Sequence, residues 1–137
     1  MTLLGETEEK HYGRGYVWRD NVTNLYDTVI EILKAHRCGS LTIETNADKG
    51  LSKMEFGKRW PDVRGKNETE NKHIRIMTFA VRAFPDIVWH KDTDINYMAQ
   101  VLDYREGQDP DDAPDSMAGC VREKEWYSDD VVFVGSA

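Results

Sequence analysis

Carboxylates are concentrated at two places where the sequence predicts an end of a regular element. Glu44 follows the alternating run Leu41-Thr42-Ile43, at the carboxyl end of a predicted strand. Further along the chain, aspartates crowd the start of a predicted helix: Asp109, Asp111, Asp112 and Asp115. Carboxylate oxygens are the preferred ligands of hard divalent cations, and ligands gather beyond the carboxyl ends of strands in α/β sheets. The chemistry that these residues predict is metal-assisted hydrolysis of a phosphodiester.

The spacing of Asp112 and Asp115 places both side chains on one face of a helix. Pro114 falls in the first turn, where its missing N–H is tolerated. Magnesium suits such a site because it needs few carboxylates and keeps waters for a substrate phosphate. A structural alternative stays open, since aspartate is also favoured as a helix cap and near helix N-termini. Glu44 has its own alternative, an ordinary solvent-facing glutamate.

A two-metal nuclease site holds its ions about 4 Å apart and needs carboxylates from several elements. The strand of Glu44 and the helix start of Asp112 supply two such elements. A third is expected, and the sequence offers no persuasive candidate for it.

Hydrophobic periodicity predicts the elements that position these acids. Residues 24–37 form a helix capped by Asn24 and stopped by Gly39, and residues 71–84 form a helix whose apolar face carries Ile74, Met77, Val81 and Phe84. The other predicted helices cover residues 51–59, 93–102 and 112–126, and the predicted strands cover residues 2–5, 12–19, 40–45, 87–89 and 131–134. Because helices and strands alternate, the pattern indicates an α/β fold with a mixed sheet.

The length of 137 residues predicts a single domain, with a core at about residues 2–126, a polar loop at about 62–70 and a tail at 127–137. No apolar run is long enough to cross a membrane, and the start of the chain lacks the pattern of a signal peptide, so we expect no membrane partner and a cytoplasmic location. The net charge of −7 is unusual for a free-standing DNA binder, but bound cations would reverse the field of an acidic metal site.

Three blocks then occur in a characteristic order: Ile43-Glu44-Thr45-Asn46, Asn71-Lys72-His73-Ile74-Arg75-Ile76, and Asp111-Asp112-Ala113-Pro114-Asp115-Ser116-Met117-Ala118. Over residues 2–122 the chain resembles the C-terminal nuclease domain of the large terminase subunit of tailed phages. The resemblance rests on the three blocks together, since each alone is a weak signal.

The resemblance implies an RNase H-like α/β fold, a mixed sheet flanked by helices, with its first strand partly missing. It assigns Glu44, Asp112 and Asp115 as catalytic metal ligands, with Asp111 beside them, for Mg²⁺ or Mn²⁺. It matches Lys72 and Arg75 to a basic pair that either contacts DNA phosphate or pairs with nearby acids. The aspartate of the family's first strand is expected upstream of Met1, and the phosphate loop of the ATPase domain does not occur in this sequence.

The resemblance thus predicts cleavage of double-stranded DNA during packaging in a phage-infected or lysogenic bacterium, with the portal and the small terminase subunit as further partners. Two alternatives remain open. One is a catalytically incomplete interaction module that docks on portal or capsid proteins, with Trp126 and Tyr127 either as contact residues or as part of the core. The other is a different RNase H-like nuclease, such as a junction resolvase.

Overall fold

The computed structural model describes residues 1–46 and 48–126, and within them helices and strands are mixed as the sequence predicts. The tail at 127–137, with the strand predicted at 131–134, lies outside the described residues. The chain divides into two compact units. Unit 1 comprises Met1–Val17 and Glu70–Ala137, and unit 2 comprises Trp18–Thr69. No helix of the described residues is long and apolar enough to span a bilayer.

A three-stranded mixed sheet, in the order β1 (Thr2–Glu6), β2 (His11–Gly15) and β5 (Ile87–Trp89), forms one layer of unit 1. Strands β1 (Thr2–Glu6) and β2 (His11–Gly15) pair antiparallel, which confirms the predicted strand pair. The amide of Thr7 donates to the carbonyl of Lys10 and closes the turn between them. Strand β5 (Ile87–Trp89) then pairs in parallel with β2.

The helix predicted at 71–84 is present, but its buried face differs from the predicted one. It begins as α3 (Lys72–Arg75), continues as a π-helix over Ile76–Val81 and ends in a 3₁₀ turn over Phe84–Asp86. Thr78 donates its hydroxyl proton to the carbonyl of Ile74, a bond that competes with the regular helix ladder. A π turn changes the spacing of side chains around the axis.

As a result, Ile74, Met77 and Val81 of the predicted core face are exposed, and only Phe84 of that set packs against the core. The buried face carries Ile76, Phe79, Ala80 and Ala83 instead. The prediction was wrong because this helix is apolar on more than one side, and periodicity alone does not say which side meets the sheet.

Two further helices complete unit 1. Helix α4 (Ile95–Leu102) is capped by Asp94, whose side chain accepts a hydrogen bond from the amide of Asn96. Helix α5 (Asp112–Glu123) confirms the predicted last helix, although the N-cap is Asp111 and not Asp112. The helices and β5 enclose one core of fully or nearly fully buried side chains: Ile76, Phe79, Ala80, Ala83, Ile87, Tyr97, Val101, Ala113, Met117, Ala118 and Val121.

Unit 2 contains a parallel pair of strands and two helices. Helix α1 (Tyr26–Ala35) buries Tyr26, Val29, Ile30 and Leu33, and helix α2 (Leu51–Gly57) buries Phe56. Two details of the prediction for the first helix were wrong. The cap is Leu25, while Asn24 donates its side-chain amide to Asp20, and the left-handed residue after the helix is Arg37, not Gly39.

The stretch predicted as a polar loop at 62–70 contains a strand. Strand β4 (Val63–Lys66) pairs in parallel with β3 (Leu41–Glu44), so that Glu44 lies opposite Lys66. The sequence of β4 is polar because none of its residues is buried, so no apolar side chains are needed to fill a core. The sequence therefore lacks the apolar alternation that would have predicted this strand.

Candidate acidic site at the start of helix α5

The N-terminal ends of α3 and α5 meet in unit 1, although they are far apart in sequence. The guanidinium of Arg75 donates to Asp115 across a separation of 40 residues. The ammonium of Lys72 lies 3.4 Å from Asp111 Oδ2 and 3.8 Å from Asp115 Oδ2. The fold therefore brings the second and third sequence blocks into one cluster of two cations and two carboxylates.

Arg75 is the buried member of this cluster, since its side chain is only 4% exposed. A guanidinium in that position is not available to a DNA phosphate on the surface. Its fork fixes the orientation of the Asp115 carboxylate and balances its charge in surroundings of low polarity. Of the two alternatives left open for Arg75, the geometry corresponds to pairing with a nearby acid.

Lys72 is the exposed member, with half of its side chain (51%) in contact with solvent. Partial burial disfavours its charge, but the attraction of Asp115 and Asp111 outweighs that effect and raises the pKa of the ammonium. Lys72 therefore stays charged and bridges the two carboxylates. Its long stem also allows it to leave them for another anion.

Asp112 differs from its neighbours because it is exposed at the first position of α5. It forms no side-chain hydrogen bond or ion pair with the described residues. Its negative charge raises the pKa of the Met1 ammonium, although burial of that ammonium has a larger, opposite effect. The helix N-terminus also favours a negative charge at this position.

Glu44 lies in unit 2, at the carboxyl end of β3, and its side chain is exposed, as the alternative of a solvent-facing glutamate also predicts. Its neighbour Thr45 extends the pairing with β4 by a backbone hydrogen bond to the carbonyl of Lys66. Asn46 then holds the backbone of Glu68 through two side-chain hydrogen bonds. The block that contains Glu44 is thus a rigid strand end in this unit.

The predicted divalent cation suits the oxygen donors of this cluster, but the number of grouped carboxylates is smaller than a metal site needs. Among residues 1–46 and 48–126, no three histidine, cysteine, aspartate or glutamate side chains are grouped closely enough to hold a metal ion. Asp111 and Asp115 do supply hard oxygen donors around one positive charge, the ammonium of Lys72. A hydrated Mg²⁺ or Mn²⁺ binds through few carboxylates. The position that the Lys72 ammonium occupies between Asp111 and Asp115 therefore suits a cation.

Sequence reasoning missed two polar groups near this site. The hydroxyl of Thr2 is hydrogen-bonded to Tyr97 at 2.6 Å and to Ser116 at 3.0 Å, which ties β1 to α4 and α5. His73 is hydrogen-bonded through Nδ1 to the hydroxyl of Tyr104 at 2.8 Å. In the sequence, only the placement of Thr2 at the start of an otherwise apolar strand could have indicated the Thr2 hydrogen bonds. The second carries no signal in the sequence.

No family model, curated protein or solved structure matches this chain significantly.

Proposed function

We propose that the chain is a DNA-cutting domain of the large-terminase type, which hydrolyses double-stranded DNA with Mg²⁺ or Mn²⁺. The observation that supports it most is the meeting of the two sequence blocks at the start of α5, where Lys72 and Arg75 face Asp111 and Asp115. The RNase H-like fold, the packaging partners and the bacterial cytoplasm are parts of this proposal. They follow from the resemblance of the three blocks.

Within the proposal, Asp111 and Asp115 would hold a hydrated cation, and the resemblance adds Asp112 and Glu44 as ligands. When bound, such a cation would supply an activated water and neutralise charge on the phosphate. Arg75 keeps Asp115 in place, and the N-terminus of α5 favours the anionic ligands. Lys72, once displaced from its two carboxylates, pairs with a DNA phosphate.

Nicking of supercoiled plasmid in Mn²⁺ tests this proposal. We expect nicking by the wild-type chain in Mn²⁺ and no nicking after removal of the metal by EDTA. Asp112→Asn is the decisive variant, since Asp112 is exposed and its loss leaves the fold intact. Asp103→Asn, at an exposed acid just after α4, is the matched control.

The expected result is nicking by the wild type and the Asp103 variant at equal rates, and a rate for the Asp112 variant equal to that of buffer alone. Glu44→Gln tests the ligand assigned on β3 in the same assay. Equal rates for the wild type and the Asp112 variant would show that Asp112 takes no part in cleavage.

A second candidate is the interaction module that docks on portal or capsid proteins. It is favoured by one observation, that Lys72 and Arg75 already neutralise Asp111 and Asp115, as in a structural ion-pair cluster. Capture of a portal or capsid protein that is unaffected by Glu44→Ala and Asp112→Ala would favour this candidate. Trp126 stacks on His11, and Tyr127 lies outside the described residues.

A further inference from the structure

A histidine and a tyrosine form a hydrogen-bonded pair near the acidic cluster at the start of α5. His73 directly follows Lys72 in the first turn of α3, and Tyr104 comes two residues after the end of α4. His73 Nδ1 lies 2.8 Å from the Tyr104 hydroxyl, and the two rings are stacked with their centroids 5.7 Å apart. The hydrogen bond and the ring contact together fix the position of the hydroxyl.

The pair lies at the surface, and its hydroxyl is within electrostatic range of the cluster. The side chain of His73 is 33% exposed, and Tyr104 is half-buried. The charges of Lys72, Asp111 and Asp115 all act on the Tyr104 hydroxyl, and such interactions weaken with distance. A DNA phosphate that pairs with the exposed ammonium of Lys72 would therefore come close to this hydroxyl.

The surroundings of Tyr104 favour a hydroxyl that keeps its proton. Burial raises the pKa of Tyr104, the carboxylates of Asp111 and Glu106 raise it further, and Lys72 acts in the opposite direction. A tyrosinate that attacks phosphorus would need a lowered pKa instead. A neutral phenol beside a cleavage site is suited to donate its proton, which is one of the roles of tyrosine in acid–base catalysis.

We propose that Tyr104 is the general acid of the proposed DNA cleavage and that His73 is its positioning residue. This inference rests on the proposed function. As the attacking water forms a bond to phosphorus and releases a proton to solvent, the bond from phosphorus to a sugar oxygen breaks. The electron pair stays on that sugar oxygen, and Tyr104 Oη gives its proton to it.

His73 stabilises the negative charge that appears on Tyr104 Oη. With a proton on Nδ1, the imidazole ring donates a hydrogen bond to Tyr104 Oη, and this bond strengthens as the hydroxyl loses its proton. Glu106 Oε2 lies 3.9 Å from His73 Nε2. A ring protonated on both nitrogens therefore faces Glu106 through Nε2 and donates to Tyr104 through Nδ1. The tyrosinate regains its proton from water before the next cleavage.

Cleavage of a DNA duplex by the whole chain in Mn²⁺ tests the inference. One linkage of the duplex has sulfur in place of the sugar oxygen that leaves phosphorus, an atom identified from the ends of the wild-type products. A thiolate leaves without a proton because it is a far weaker base than an alkoxide. Tyr104→Phe removes the hydroxyl and keeps the stacked ring. Tyr12→Phe, at an exposed tyrosine of β2, is the matched control.

We expect the Tyr104 variant to cut ordinary linkages on the order of a hundredfold more slowly than the wild type, and the sulfur linkage at the wild-type rate. The Tyr12 variant should equal the wild type on both kinds of linkage. His73→Phe keeps a stacked ring but has no N–H. It should cut ordinary linkages on the order of tenfold more slowly, with no change at the sulfur linkage.

Equal rates for the wild type and the Tyr104 variant on ordinary linkages would overturn the inference and leave the proposed function intact. An equal loss on both kinds of linkage would also overturn it, because that result would show that Tyr104 only supports the fold. The same pattern in the His73 variant would show that the ring only packs against Tyr104. No cleavage by the wild type would contradict the proposed function itself, and this inference with it.

Discussion

At the scale of single residues, the acidic cluster contains one buried and one exposed cation, and they should differ in their effect on stability. Arg75→Met removes the buried guanidinium and leaves Asp115, which is only 19% exposed, without its main counter-charge. Loss of one partner of a buried pair destabilises by about 3 kcal/mol. Lys72→Met breaks exposed contacts and should change the free energy of unfolding by less than about 1 kcal/mol.

Urea denaturation of the two variants measures this difference. The two side chains contact the same carboxylate, so Lys72→Met controls for the loss of charge near Asp115. Equal free energies of unfolding for the two variants would show that burial of Arg75 contributes nothing to the pair.

The ammonium of Met1 predicts a dependence of stability on pH. Burial lowers its pKa from 8.0 to about 6, despite the attraction of Asp112. Between these two values the unfolded chain binds more protons than the folded one, so stability rises as pH increases from 6 to 8. The full effect of two pKa units is about 2.5 kcal/mol, and below pH 6 the folded protein carries the whole penalty.

Thermal or urea unfolding at pH 6 and pH 8 measures this effect in protein that retains Met1 with a free amino group. The same protein acetylated at its N-terminus has no titrating ammonium and serves as the control, since its histidines titrate as before. A free and an acetylated protein with the same pH dependence would contradict the assignment to Met1.

At the scale of elements, two of the three glycines in the hairpin of β1 and β2, Gly5 and Gly15, have opposite surroundings. A Cβ at Gly15 would overlap the ring of Tyr97, which is fully buried and hydrogen-bonded to Thr2. A Cβ at Gly5 would meet nothing within 4 Å. The close approach of β2 to α4 therefore depends on the missing side chain at Gly15.

We expect Gly15→Ala to destabilise unit 1 by about 3 kcal/mol, the upper end of the range for overpacking, because Tyr97 has no free space to enter. Gly5→Ala, in the neighbouring strand, should change the free energy of unfolding by less than about 0.5 kcal/mol. Calorimetry of both variants measures this difference in the free energy of unfolding. A Gly15 variant as stable as the Gly5 variant would mean that α4 shifts freely on the sheet.

At the scale of the whole molecule, each of the two units has its own buried core. In unit 2 the core is built around Leu33, which is 1% exposed, together with Val29 and Phe56. In unit 1 Met117 of α5 is fully buried. Cores of this kind are the basis of cooperative units that open separately in hydrogen exchange.

Leu33→Ala should lower the stability of unit 2 by about 3 kcal/mol, and Met117→Ala should do the same for unit 1. We expect the first variant to speed amide exchange mainly in α1 and α2, and the second mainly in α5 and the π-helix. Hydrogen exchange followed by mass spectrometry resolves these segments. Uniform acceleration along the chain in both variants would show a single cooperative unit.

The sequence by itself determined most of the element order, because helix and strand periods depend on local side-chain spacing. The hairpin, α1, β3, α2, β5, α4 and α5 all occur near the predicted positions. The cluster of aspartates at the start of the last helix was also placed correctly, since Pro114 and the acids favour a helix N-terminus locally.

The tertiary structure alone decided three further features, and each depends on a contact between distant segments. Strand β4 exists because β3 supplies its backbone partners. The buried side of the π-helix is the side that meets the core of unit 1, although the opposite side is apolar as well. Arg75 faces Asp115 because packing joins two helix ends that are 40 residues apart, and no local pattern encodes that distance.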